Sequence, residues 1–171
     1  MNHPVIQKAR AFAMASHGTQ QYGNYPYEIH LGNVVTAMLH FGIKPDNNGH
    51  ASLLAAAWLH DVLEDTPVTY DELQVAFTSE IAEMVFAVTD EPGANRKERK
   101  AKTYVKLAQN PDSVIVKLAD RIANVEFSVV HGNASLLEMY RKEQPGFEAA
   151  IQPALISELH LEMLHYLNGL L

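Results

Sequence analysis

The 171-residue sequence contains no cysteine, which excludes disulfide bonds and thiolate chemistry. Basic residues are also scarce: 13 lysines and arginines stand against 20 aspartates and glutamates, and the net charge is −7. General affinity for nucleic acid requires a basic surface, so this balance argues against a nucleic-acid partner. Uninterrupted apolar runs are too short to cross a bilayer, and the N-terminal stretch lacks the pattern of a secretory signal. We therefore expect a cytoplasmic protein without a membrane or nucleic-acid partner.

The residues that are present are those of a folded domain. Apolar residues make up 47% of the chain and charged residues 19%, which is enough to build a core and argues against disorder. Apolar residues recur at three- and four-residue spacings along most of the chain, as in helices with one buried face. Residues 114–116 alone would suit a strand, but the sequence offers no evident partner for it. We predict one all-α domain over residues 1–171, a compact bundle of about eight to ten helices.

Local signals predict where several helices begin and end. A second helix is expected from about Ile29 to Phe41, after a polar loop, and a third from about His50 to Asp65. The residues TYDE at 69–72 form a capping-box pattern that opens a fourth helix, and Ser79 is the expected cap of a fifth.

Residues 131–171 are expected to add C-terminal helices. The pattern predicts one helix from about Ser135 to Glu143 and another from Phe147 to Leu170. Pro153 lies inside the second of these, and a proline in a helix interior removes a backbone donor. We therefore expect the last helix to kink or restart there.

The stretch LHDVLEDT, at 59–66, concentrates ionisable side chains at the end of an apolar segment. It holds His60, Asp61, Glu64 and Asp65, and it follows the uncharged run ASLLAAAW. On a helical wheel the four polar side chains share one arc. Buried carboxylates and imidazoles are costly unless something pairs with them. Either this end of the helix reaches water, or it faces a cation.

Two further residues suggest the cation. His30 opens the second helix, and Asp120 lies in the apolar segment VIVKLADRIANV. A single histidine or aspartate in such a place is more often hydrogen-bonded structure, but His30, His60, Asp61 and Asp120 together make a nitrogen and oxygen set for Mn²⁺, Fe²⁺ or Zn²⁺. Such an ion lowers the pKa of bound water, and Glu64 and Asp65 would then lie close enough to orient or deprotonate that water.

One segment of this acidic chain is strongly basic. Six of the 13 basic residues fall between positions 96 and 106: Arg96, Lys97, Arg99, Lys100, Lys102 and Lys106. The segment suits either a binding surface for a small anion or a solvated helix face. The charge pattern leaves both open.

These residues resemble the HD superfamily of metal-dependent phosphohydrolases. His30, then His60-Asp61, then Asp120 match its H…HD…D pattern. The segments WLHDVLEDT and VKLADRIANV are similar to the hydrolase domain of the RelA/SpoT family and its stand-alone small alarmone hydrolases. The similarity covers about residues 5–130 and leaves 131–171 as C-terminal helices.

The resemblance implies Mn²⁺-dependent removal of the 3′-pyrophosphate from (p)ppGpp or a related alarmone. By position it implies four metal ligands (His30, His60, Asp61 and Asp120), a catalytic acidic pair (Glu64 and Asp65) and a nucleotide contact at Asn124. The phosphate contacts implied in the basic segment are Arg96, Lys97 and Lys100. The partner is then a small-molecule nucleotide, and the sequence leaves open whether the chain forms a homo-oligomer.

The chain departs from the RelA/SpoT pattern mainly on the side that recognises the base. Gln21-Tyr22 replaces a basic pair, Ala123 replaces the histidine of LADRLHN, and Glu126 stands where a basic residue is common. An adenine alarmone, (p)ppApp, or another 3′-phosphorylated nucleotide such as NADPH is therefore a candidate substrate beside the guanine alarmone. The rings of Tyr22, Tyr25 and Tyr27 are either candidates to stack on the base or ordinary packing residues. The alternatives are an HD phosphatase of the 5′-nucleotidase or NADPH 2′-/3′-phosphatase type, or a non-catalytic nucleotide-binding module.

Overall fold

The computed structural model describes residues 3–171, and nearly all its regular structure is helical. Ten α-helices are present in this range: α1 (Pro4–His17), α2 (Glu28–His40), α3 (Asn48–Leu59), α4 (Val62–Asp65), α5 (Tyr70–Ala76), α6 (Ser79–Val88), α7 (Arg96–Leu107), α8 (Pro111–Val130), α9 (Ala134–Ile151) and α10 (Glu158–Leu170). A 3₁₀ turn at Gln152–Ala154 joins α9 to α10. The predicted all-α class is confirmed.

A short β-hairpin lies within the predicted polar loop before α2. Strand β1 (Gln21–Tyr22) pairs antiparallel with β2 (Tyr25–Pro26), and Tyr22 lies opposite Tyr25. Gly23 has a φ of +60°, which suits glycine at the first position of a two-residue hairpin loop. The hairpin carries Tyr22 to the N-terminal end of α2, so it contributes to the site described below.

Helix α3 is the centre of the core. Leu53 through Leu59 are all buried, and the helix packs against α1, α2, α6 and α8. Its alanines at 55–57 allow these neighbours to approach closely, because alanine adds little bulk to the helix surface. No helix in residues 3–171 has both the length and the apolar character needed to cross a membrane.

The predicted third helix, from His50 to Asp65, is wrong at its C-terminal end. Helix α3 stops at Leu59, a turn follows at His60 and Asp61, and α4 begins at Val62. Asp61 has φ −97° and ψ −2°, in the sparsely populated bridge region between helix and strand. The turn directs His60 and Asp61 towards α2 and α8, where the partners of their polar groups lie.

The structure also corrects two smaller boundaries. Thr78, rather than Ser79, caps α6, because its side chain accepts a hydrogen bond from the Ile81 N–H. The predicted break between Glu143 and Phe147 is absent, since α9 continues through Pro145 to Ile151. Phe147 is buried, so packing on one side of Pro145 outweighs the backbone hydrogen bond that the proline lacks.

Other predicted boundaries are confirmed. The capping box joins Thr69 and Glu72, and each side chain bonds to the other residue's backbone N–H. Helix α2 agrees with the predicted bounds to within one residue at each end. The interruption at Pro153 is present as the 3₁₀ turn.

Candidate metal centre

Two buried imidazoles face each other at the centre of the site. The Nε2 atoms of His30 and His60 are 3.1 Å apart. His30 lies in the first turn of α2, and His60 lies in the turn after α3. The Nδ1 atom of His60 is 2.8 Å from the carbonyl oxygen of Ala57, so its ring is fixed with Nε2 directed at the site.

Two carboxylates complete the cluster. Asp61 Oδ2 lies 3.0 Å from His60 Nε2 and 3.4 Å from His30 Nε2. Asp120, on α8, places Oδ1 3.4 Å from His30 Nε2 and 3.6 Å from His60 Nε2. All four residues predicted as metal ligands are therefore brought together from three parts of the chain.

The cluster fits a divalent metal ion. One ligand atom each from His30, His60 and Asp120 lies within 4.8 Å of the others, and all three residues are buried. An imidazole whose other nitrogen donates to a backbone carbonyl is oriented as metal-binding histidines usually are, and His60 meets this condition. Mixed imidazole and carboxylate donors suit several first-row divalent ions, so the donor set indicates a metal without selecting its identity.

Without a metal, attraction between protonated imidazoles and ionised carboxylates holds the four groups together. Burial lowers the pKa of His60, but the charge of Asp61 and the hydrogen bonds to Asp120 and Asp61 outweigh burial and raise the pKa to about 10. Burial raises the pKa of Asp120, yet the charge of Lys117 and hydrogen bonds from both histidines hold it well below its usual range. A metal ion must replace the histidine protons, so its binding is expected to release protons.

The acidic pair lies at the edge of the same cavity. Glu64 Oε2 accepts a hydrogen bond from the Asp90 backbone N–H at 2.9 Å, and Asp65 Oδ2 accepts one from Gln20 Nε2 at 2.7 Å. Partial burial raises the pKa of Glu64, although the Asp90 N–H opposes this effect. The two carboxylates are thus held by different partners, Glu64 by the segment after α6 and Asp65 by the turn before the hairpin.

The cavity has a volume of about 180 Å³ and is almost entirely polar. It is lined by the side chains of Tyr22, Tyr27, His30, Asp61, Glu64, Asp65, Arg96, Lys100, Lys117, Asp120, Asn124 and Tyr140. Acidic groups and imidazoles therefore share one small space with three cationic side chains. Such a space suits an ion and the phosphate groups of a ligand.

The cations are held by acidic partners around the cavity. Lys117 Nζ lies 2.9 Å from Asp120 Oδ2, and Lys100 Nζ donates to Asp90 Oδ1 at 2.8 Å. Arg96 is paired through Nε with an oxygen of Glu143 on α9, at 2.6 Å.

Lys97 is in a different place. It is exposed and lines a groove between α7 and α9, next to Ala101 and Tyr104. Of the three basic residues predicted to contact phosphate, the structure brings Arg96 and Lys100 into the cavity but not Lys97.

Tyr22 and Asn124 are linked to each other and to the ligand cluster. The Tyr22 hydroxyl donates to Asn124 Oδ1 at 2.7 Å, and Asn124 Nδ2 donates to Asp120 Oδ1 at 2.6 Å. The Tyr22 ring stacks on His30, with centroids 4.7 Å apart and planes inclined by 27°. Burial, followed by nearby charges, raises the pKa of the Tyr22 hydroxyl, which therefore stays protonated and donates. A nucleotide hydroxyl that bonds to Asn124 Oδ1 must compete with this contact.

The sequence predictions missed two cavity residues, Lys117 and Tyr140, and named a third, Tyr27, only as a candidate for stacking on the base. Tyr27 donates from its hydroxyl to Asp61 Oδ2 at 2.5 Å, and its position three residues before His30 was an available signal. Lys117 precedes Asp120 by three residues in a helix, which is also a readable spacing. Tyr140 reaches the cavity from α9, and nothing in its local sequence indicates this.

Comparison with known proteins agrees with the geometry. A family model described as HD domain matches residues 9–143. The chain is 36% identical over 126 residues to guanosine-3′,5′-bis(diphosphate) 3′-pyrophosphohydrolase of Aquifex aeolicus, and 37% identical over 129 residues to the enzyme of the same name from Spiroplasma citri. Each match covers 71% of this chain but only 17% and 16% of the relatives, respectively, so the chain spans about a sixth of their length. The resemblance to the RelA/SpoT hydrolase domain is thereby confirmed.

Two solved structures share the fold. A metazoan ortholog of SpoT that hydrolyzes ppGpp superposes with a TM-score of 0.75 at 24% identity, over 100% of this chain and 99% of that one. The protein lmo0812 of Listeria monocytogenes superposes with a TM-score of 0.61 at 22% identity, over 82% of this chain and 97% of that one. At these identities the likeness establishes the fold.

Proposed function

The chain belongs to the HD domain family, and from that premise we propose that it is a hydrolase removing the 3′-pyrophosphate of a (p)ppGpp-like alarmone. The products are pyrophosphate and a nucleotide phosphorylated only at its 5′ position. One observation carries this proposal. Three of the four predicted metal ligands, the acidic pair and three cationic side chains line one cavity of about 180 Å³, and the fourth ligand, His60, lies just behind its wall. The relatives named for this reaction support it.

We infer that His30, His60, Asp61 and Asp120 hold one divalent ion, and we propose Mn²⁺, which accepts mixed imidazole and carboxylate ligands. When bound, such an ion acidifies water and polarises a phosphoryl oxygen. Oxygens of Asp61 and Asp120 lie within 3.6 Å of both imidazole Nε2 atoms, so the site favours a cation in that position. The absence of cysteine agrees with a location in the reducing cytoplasm.

The protein's own side chains divide the remaining work. Glu64 takes a proton from the attacking water, for which its raised pKa is suitable, and Asp65 orients that water. The water oxygen bonds to the 3′-linked phosphorus, the bond from that phosphorus to the ribose oxygen breaks, and the ribose oxygen takes up a proton. Arg96, Lys100 and Lys117 bind the phosphate oxygens and stabilise their charge.

The base specificity is left open by the hairpin. Guanine presents two acceptors, O6 and N7, to a cationic side chain, whereas adenine presents one acceptor and one donor. Gln21 and Tyr22 provide no cation, so the hairpin does not favour guanine in this way. We propose that an adenine alarmone is accepted alongside the guanine alarmone.

The test is release of pyrophosphate and of single phosphate from ppGpp, ppApp and NADPH, each with added Mn²⁺. We expect pyrophosphate from at least one alarmone, and no release by the matched variant Glu64→Gln. Single phosphate from NADPH alone would instead favour the phosphatase alternative. Metal binding without release from any of the three would contradict the proposed alarmone hydrolysis and favour either a phosphatase that acts on another nucleotide or a nucleotide-binding module.

A further inference from the structure

A hydrogen-bonded chain reaches the acidic pair from the first helix. His17 is the last residue of α1, and Gln20 follows in the turn before the hairpin. His17 Nδ1 lies 2.8 Å from Gln20 Oε1, and Gln20 Nε2 donates to Asp65 Oδ2 at 2.7 Å. His17 is buried and Gln20 is half-buried, whereas Asp65 is exposed. A rigid interior group is thus connected to a carboxylate at the surface.

The direction of these hydrogen bonds follows from the chemistry of their groups. An ionised carboxylate only accepts, so the amide nitrogen of Gln20 must face Asp65. The amide oxygen of Gln20 then faces His17, which must carry a proton on Nδ1 in order to donate. His17 Nε2 is buried without a hydrogen-bond partner among the described residues. The direction runs from His17 through Gln20 to Asp65.

Asp65 has little else to hold it. Within residues 3–171, Gln20 is the only group that hydrogen-bonds to the Asp65 side chain. Asp65 is also the last residue of the four-residue helix α4. Its neighbour Glu64 is fixed separately by the backbone N–H of Asp90. Without Gln20, the exposed Asp65 carboxylate would distribute over several rotamers.

His17 also contacts the predicted metal ligands, through Tyr27. The His17 ring stacks on the Tyr27 ring, with centroids 4.5 Å apart and planes inclined by 30°. The Tyr27 hydroxyl donates to Asp61 Oδ2. His17 and Tyr27 therefore form one packed unit with contacts to Asp61 on one side and, through Gln20, to Asp65 on the other.

We propose that His17 and Gln20 are positioning residues that hold Asp65 in its working orientation at the edge of the metal centre. The inference rests on the proposed hydrolysis, in which Asp65 orients the attacking water. A carboxylate that acts on a water molecule must be held to within a fraction of an ångström, and small misplacements are costly to turnover.

The first test compares Gln20→Met with Gln7→Met, a matched change at an exposed position of α1. We expect Gln20→Met to lower kcat for pyrophosphate release about tenfold or more, while KM, bound Mn²⁺ per chain and Tm stay at the values of the control. An unchanged kcat overturns the proposal. A loss of kcat that is accompanied by equal losses of metal and Tm assigns the residues a structural role and overturns it as well.

A conservative pair tests the contribution of His17. His17→Gln retains an N–H donor for Gln20, whereas His17→Leu does not. We expect kcat to be higher for His17→Gln than for His17→Leu, with KM alike in the two variants. Equal kcat values would show that the hydrogen bond from His17 has no role.

A second measurement does not depend on activity. The ¹⁵N resonances of the His17 ring report which nitrogen carries the proton, and we expect Nδ1. Protonation of Nε2 alone would mean that His17 does not donate to Gln20, which would reverse the direction of these hydrogen bonds and overturn the proposal. If the wild-type protein hydrolyses none of the alarmones, the proposed function fails, and the His17 tautomer still tests whether His17 donates to Gln20, as the hydrogen bonds to Asp65 require.

Discussion

The Nε2 atoms of His30 and His60 lie 3.1 Å apart, and each also lies within 3.6 Å of oxygens from Asp61 and Asp120. Two buried imidazole nitrogens that face each other can share one proton, or both can direct lone pairs at one cation. Since each also faces two carboxylate oxygens, the cluster combines the donor types of a divalent metal site.

Asp61→Asn should lose bound metal and activity together, because the substitution removes one of two carboxylate charges beside the paired imidazoles. Asp71→Asn, at an exposed position in the first turn of α5, is the matched control and should retain both. Metal content per chain, measured after dialysis against chelator-free buffer with Mn²⁺, checks the outcome. Full metal content in Asp61→Asn would mean that the ligand set is wrong.

Glu64→Gln should keep its metal but lose turnover by about 100-fold or more, the usual contribution of a general base. A base acts when ionised, so wild-type kcat should rise with pH as Glu64 loses its proton. Partial burial raises the pKa of Glu64. The increase in kcat should therefore occur at a higher pH than the pKa of an exposed glutamate, about 4.3. A pH profile of kcat checks this, and an identical profile in Glu64→Gln would assign the base to another group.

The metal-free protein should lose stability as the pH rises. The pKa of His60 is raised from 6.5 to about 10, so its contribution to stability is complete below pH 6.5 and is lost as the pH approaches 10. Added Mn²⁺ should flatten this dependence, because a metal ion takes the place of the imidazole protons. Thermal unfolding of chelator-treated and metal-loaded protein across this range is the measurement. If the unfolding temperature changes equally with pH in the two samples, the metal does not bind at the protonated imidazoles.

Arg96→Met should raise KM for a tetraphosphate alarmone by about tenfold, because a charge-assisted contact to phosphate is worth about 1.5–3 kcal/mol. Lys97→Met provides the comparison on the same helix. Since Lys97 lines the groove between α7 and α9 rather than the cavity, its substitution should change KM less. Steady-state kinetics at two salt concentrations separates these effects. A larger increase in KM for Lys97→Met than for Arg96→Met would show that the phosphates lie in the groove between α7 and α9.

Replacing Gln21 and Tyr22 by arginine and lysine should shift preference towards the guanine alarmone. Cationic donors on the hairpin would match the two acceptors of guanine, and each good pair of this kind discriminates by about 1–3 kcal/mol. We expect the ratio of kcat/KM for ppGpp over ppApp to rise about tenfold. A ratio that does not change would place base recognition away from the hairpin.

Residues close together in the chain made part of this site predictable. His60, Asp61, Glu64 and Asp65 lie within one short stretch, and their concentration at the end of an apolar segment by itself indicates a cation. The helical class followed in the same way from apolar periodicity, and the cap at Thr69 from a four-residue pattern.

The two features that the sequence does not predict have different causes. The hairpin at 21–26 falls in a predicted loop, because two-residue strands leave almost no periodicity to detect. The helix break predicted near Pro145 is absent, because contacts of Phe147 with the rest of the core support a helix that local propensity disfavours.

What the sequence determined by itself is the chemistry: which side chains can bind a metal, and that they lie on helices of an apolar bundle. Only the tertiary structure decided how they are arranged. The turn at His60 and Asp61 directs both side chains at His30, and the hydrogen bonds of Glu64 to Asp90 and of Asp65 to Gln20 join residues 26 and 45 positions apart. The physical reason is that helix periodicity is a local property, whereas the packing that orients a buried polar group depends on all of the elements around it.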